Sequence, residues 1–64
     1  MKYFICYAVR KYSYKEEYNH LYNVFLKLDE EITSMKQINL IKDRICEQHH
    51  CSRNSVAIIS FQLV

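Results

Sequence analysis

Apolar and aromatic residues run almost without a break through the first part of the chain. Tyr3, Ile5, Tyr7 and Val9 point one way and Phe4, Cys6 and Ala8 the other, so residues 2–10 read as a strand apolar on both faces. That is the pattern of a strand in the middle of a sheet. Residues 11–18 (Lys-Tyr-Ser-Tyr-Lys-Glu-Glu-Tyr) mix charges with aromatics, and a loop is expected there.

The stretch from Tyr18 to Ile32 supports two readings. Tyr18, Leu21, Phe25, Leu28 and Ile32 recur at helical spacing, and Ser13-x-x-Glu16 offers a capping box before them. Taken as a strand, Tyr22, Val24, Leu26 and Leu28 share one face, with Asn23, Phe25 and Lys27 on the other. Two arguments favour the strand. Asp29, Glu30 and Glu31 would sit at the C-terminal end of that helix, where its dipole opposes negative charge. Two helices would also leave only two strands, a sheet of marginal stability.

Residues 34–48 predict a helix. Ser34-x-x-Gln37 forms a capping box, and Met35, Ile38, Ile41 and Ile45 make one apolar stripe. Lys36, Lys42, Asp43, Arg44 and Glu47 fall mostly on the wet side. His49, His50, Cys51, Ser52, Arg53 and Asn54 end the helix and turn the chain. With no glycine available, Asn54 is expected to take the left-handed conformation. Residues 55–63 then predict a strand.

The order strand, strand, helix, strand gives an α+β fold. Right-handed crossover through the helix makes strand 3 parallel to strand 2. Placing the most apolar strand between them yields a three-stranded antiparallel ββαβ sheet of order 2-1-3, with one helix packed on one face. One helix cannot cover both faces. An apolar sheet face left open implies a partner, and a homodimer or higher homo-oligomer, formed through that face or through the edge strand 55–63, is the economical expectation.

Composition narrows the function. With 64 residues and no Gly or Pro, residues 1–64 are expected to form a single domain without linkers. A chain this short buries only about 60% of its unfolded surface, so extra support is expected, with self-association or a metal as the candidates. Half of the residues are hydrophobic, too many for a disordered tail. The net charge of +2 excludes an acidic DNA mimic and does not by itself imply nucleic acid. The apolar start is short for a signal peptide and ends in Arg10-Lys11; no run is long enough to span a bilayer. The expectation is a cytoplasmic protein without membrane attachment. Three cysteines, an odd number, fit free thiols better than a disulfide framework.

Three groups of residues invite a chemical reading. Cys46, His49, His50 and Cys51 have the residue types of a zinc half-site, with Cys6, His20 or a second copy completing it. They are too close in sequence to wrap one ion, and core packing plus helix capping explains them more simply, so no metal and no cofactor are expected. Asp29, Glu30 and Glu31 are consecutive acids rather than a pair facing across a cleft, and the thiol–imidazole neighbours at residues 46–50 lack an orienting third group. An enzyme is not expected. All six tyrosines lie in the first 22 residues, interleaved with basic side chains. Arg10, Lys11, Tyr12, Tyr14, Lys15 and Tyr18 form the candidate partner-binding set: aromatics beside cations serve both protein hot spots and nucleic-acid stacking. Glu16 and Glu17 weaken the nucleic-acid alternative.

The segment Asn23-Val-Phe-Leu-Lys-Leu-Asp-Glu-Glu-Ile-Thr-Ser-Met-Lys-Gln-Ile, with Val56-Ala-Ile-Ile-Ser-Phe-Gln-Leu, resembles small uncharacterised accessory proteins encoded by phages and other mobile elements. They share the Met-Lys-Tyr/Phe opening strand and the apolar closing strand; residues 12–20 depart by lacking loop glycines. The resemblance is one of apolar spacing and carries no site residues. It implies a protein-interaction role, with inhibition of a host defence protein as one form. The expectation is therefore a non-enzymatic, self-associating interaction module; the alternative is a nucleic-acid or nucleotide binder using residues 10–18.

Overall fold

The computed structural model describes residues 1–12 and 17–64. In chain order it contains β1 (Lys2–Tyr12), β2 (Glu17–Lys27), the helix α1 (Met35–His49), a 3-10 turn at Arg53–Ser55 and β3 (Val56–Leu63). The sheet order is β2-β1-β3, both neighbouring pairs are antiparallel, and α1 lies between β2 and β3 in sequence. This is the ββαβ fold that the apolar pattern predicts.

The ambiguous second segment is a strand. Its 11 residues pair continuously with β1, from Tyr12↔Glu17 to Lys2↔Lys27, and no helix could satisfy that ladder. Leu21 and Phe25, which looked like part of a helical stripe, fall on one side of the ribbon; Tyr22, Val24 and Leu26 fall on the other, against the core. The ladder also corrects the loop expected at 11–18. Lys11 and Tyr12 extend β1, and Glu17 and Tyr18 begin β2, continuing the backbone ladder in register. The capping box suggested at Ser13-x-x-Glu16 lies outside the described residues, as do Tyr14 and Lys15.

α1 starts as its capping box requires. The Ser34 amide donates to Gln37 Oε1 at 3.1 Å and the Thr33 amide to the same oxygen at 2.6 Å. Ile41 and Ile45 of the predicted stripe are buried, whereas Met35 is exposed at the first turn. The left-handed residue is His50 (φ 55°, ψ 47°), not Asn54, which lies within the 3-10 turn. The reversal is needed where the helix carbonyls run out, and histidine tolerates that conformation better than most non-glycine residues.

The core lies between α1 and one face of the sheet. Tyr3, Ile5, Tyr7 and Val9 of β1 meet Ile41 and Ile45 of α1 and Val56 of β3, all buried. Both core tyrosines have partners for their hydroxyls: the Ile32 amide donates to Tyr3 Oη at 3.1 Å, and Tyr7 Oη shares a hydrogen bond of 2.8 Å with His49 Nε2. Among the described residues no element lies over the opposite face, so β1 is central in order but covered on one side only.

Candidate interaction surface

The uncovered face is built by strand alternation. Cross-strand register places Phe4, Cys6 and Ala8 of β1 beside Phe25, Asn23 and Leu21 of β2 and beside Gln62, Ser60 and Ala57 of β3. A β-bulge adds to it. Cys6 pairs with Ser60 and Tyr7 with Ile58, so Ile59 is the extra residue and joins Ser60 on the bare side. The bulge also shifts the phase of β3. Val56 and Ile58 before it, and Phe61 and Leu63 after it, all share the helix side with their β1 partners.

The resulting face has relief. Cys6, Ala8, Ala57 and Ser60 are small and form its floor. Leu21 (69% exposed), Phe25 (57%) and Ile59 (59%) stand beside them; Cys6, Leu21, Asn23, Ile59 and Ser60 line a shallow hollow. Phe4 leans on Phe25, with ring centroids 5.0 Å apart. At one end Lys2 and Lys27 are directly opposite each other, a like-charge pairing that costs stability. Lys2 Nζ lies 5.1 Å above the Phe25 ring, which offsets part of that cost.

The candidate set from the sequence is divided by the same alternation. Arg10 shares the parity of Phe4, Cys6 and Ala8, whereas Lys11 pairs with Tyr18 on the other side of the ribbon. Arg10 and Tyr18 are exposed and Lys11 is half-buried. Tyr12 ends β1; Tyr14 and Lys15 are outside the described residues. Tyr3 and Tyr7 are core residues, and Tyr22 stacks on Tyr7 at 5.5 Å while facing His49 and His20. Leu21, Ile59 and Ser60 were not in the candidate set, although the break in alternation between Ile58 and Phe61 marks the bulge that exposes two of them.

Chemistry elsewhere is modest. Burial, then the neighbouring Tyr22 and Cys51, raise the Tyr7 phenol above its ordinary value, which keeps it neutral and unsuited to act as a base. Glu30 accepts a hydrogen bond from Gln37 Nε2 at 3.3 Å and so supports the approach to α1. Among the described residues no three His, Cys, Asp or Glu side chains converge into a group able to hold a metal ion, and no helix is long and apolar enough to cross a membrane. No family model matches the chain, and no curated protein or solved structure matches it significantly.

Proposed function

We propose that the chain is a small non-enzymatic interaction module that self-associates by packing its bare sheet face against that of a second copy. The relief of that face carries the proposal. Leu21, Phe25 and Ile59 protrude beside a floor of small residues, so a two-fold arrangement lets the projections of each copy seat on the floor of the other. The molecule also exposes 4945 Å², about 570 Å² more than a compact chain of its mass presents. A stable interface needs about 800 Å² from each partner, and the elongated shape, 40 × 19 × 17 Å, leaves a long sheet face from which to draw it. Its radius of gyration, 12.2 Å, likewise exceeds the value of about 11 Å for a compact chain of this length.

The division of Arg10 from Lys11 and Tyr18 between the two sides of the hairpin is why the sheet face is preferred over a phosphate-gripping end at residues 10–18. Inhibition of a host defence protein is one use for such a module, and it rests on the resemblance alone. The test is sedimentation equilibrium of the full chain and of a Leu21→Glu/Ile59→Glu variant. The proposal expects a dimer of the 7.8 kDa chain and a folded, monomeric variant. A wild-type monomer at high concentration, or a variant that dimerises equally well, overturns it.

A further inference from the structure

The way α1 ends brings two of the three cysteines together. Beyond the left-handed His50, the Cys46 carbonyl accepts the amides of both His50 and Cys51, the latter at 3.2 Å. A bond from the second residue past a helix to the fourth-last carbonyl of this kind is the Schellman closure, which a contact between the side chains at its two ends frequently accompanies. Those two positions are Cys46 and Cys51. Both are free thiols, half-buried, and packed on the edge of the core. Burial raises the Cys46 thiol above its ordinary value, and a hydrogen bond with the Cys51 thiol raises it further, which agrees with side-by-side sulfurs. Cys6 is remote from them, on the opposite face of the sheet.

We propose that Cys46 and Cys51 form a reversible intramolecular disulfide that fastens the end of α1 to the segment leading into β3. The oxidant is a small-molecule disulfide such as oxidised glutathione. One protein thiolate attacks it, forming a mixed disulfide and releasing one small thiol. The second protein thiolate then displaces the other small thiol. Two S–H bonds are lost and one S–S bond forms; two electrons and two protons leave with the reduced small thiols. The closure requires little rearrangement, since the helix ending already holds the two residues together. It does not depend on self-association, because neither cysteine belongs to the bare sheet face.

The test is titration of the full chain with oxidised glutathione, followed by alkylation, intact mass and peptide mapping. The expected product is two hydrogens lighter than the reduced chain, retains one alkylatable thiol at Cys6, and reverts with dithiothreitol. Its Tm should be a few degrees higher. A Cys6→Ser chain should oxidise identically, and a Cys51→Ser chain should lose the intramolecular product. Persistent glutathione adducts at Cys46 or Cys51 without the internal bond overturn the proposal, as does survival of all three thiols.

Discussion

β1 presents two unlike surfaces on alternate residues. On one side Tyr3, Ile5, Tyr7 and Val9 are buried beneath α1, and the hydroxyls of both tyrosines are paired. On the other, Phe4 and Cys6 are half-buried by their strand neighbours alone, with Leu21, Phe25 and Ile59 open to water. The covered side is bulky and buried in its centre, with Tyr18, Phe61 and Leu63 exposed at its margins. The bare side is small in its centre and bulky around it. Burial by the chain's own helix selects side chains that fill space; a face meant for another surface can leave hollows for that surface to fill. The contrast between neighbouring residues is therefore the most direct place to test the assignment.

The largest effect should come from Ile5→Ala. Ile5 is fully buried, and such truncations cost about 2–5 kcal/mol. A chain this small has roughly that much stability in total, so Ile5→Ala should be largely unfolded by circular dichroism. Cys6→Ala, one residue along and on the bare side, should melt close to wild type. Comparable losses at both positions would mean that the two faces are not energetically distinct in the monomer.

Self-association sharpens the same comparison. If the bare face is buried between copies, the Tm should rise with protein concentration, because each tenfold increase adds about 1.4 kcal/mol of stability per dimer. Leu21→Glu should remove that dependence and leave the dilute-limit Tm near that of wild type. Scans over two decades of concentration check this, and a flat wild-type series would place the bare face in water.

Much of the fold was legible because apolar pattern and topology agree. The apolar run Tyr3–Val9 specifies β1, the Ser34/Gln37 box and the Ile41/Ile45 stripe together specify α1, and the sheet order follows from placing β1 in the centre. The hairpin was harder. Leu21 and Phe25 satisfy a helical period as well as an alternating one, and only pairing with β1 decides between them. The helix end was misplaced for a related reason: Asn54 is the better left-handed residue by type, but the reversal occurs at His50, where the Cys46 carbonyl needs donors. The interaction surface was the least legible part. Of the contiguous cluster at residues 10–18, Arg10 is parted from Lys11 and Tyr18 by the pleat, while Leu21 and Ile59, 38 positions apart in the chain, come to one face only through the register and the bulge.

On the covered side, Tyr7→Phe should remove the hydrogen bond to His49 at a cost of about 1 kcal/mol. It should also change the alkaline limb of stability. The Tyr7 phenol is raised in the folded state from its ordinary value of 10.0, so its contribution is fully present below that value and is lost as pH rises through the folded one. Wild type should therefore lose stability above about pH 10, and Tyr7→Phe should lose less over the same range. Urea melts of both chains at neutral and alkaline pH measure the difference; parallel losses would mean that another group governs that limb.

The smallest effect belongs to the surface link that ties α1 to the turn before β3. Arg53 Nε and Nη2 donate to Asp43 Oδ1 and Oδ2 at 2.8 and 2.7 Å, a two-pronged geometry that fixes orientation as well as charge. The Arg53 hydrogen bond holds the Asp43 carboxyl below its ordinary value of 3.8. Stability from the pair is thus present above that value and disappears as pH falls through the lower, folded one. Both side chains are about half exposed, so salt should weaken the link. Arg53→Ala should lower the Tm slightly at neutral pH and low salt. The gap between variant and wild type should narrow both on acidification and on adding salt. A gap that ignores both would locate the contribution of Arg53 in the packing of its alkyl stem, and would remove this ion pair from the forces that hold the helix end in place.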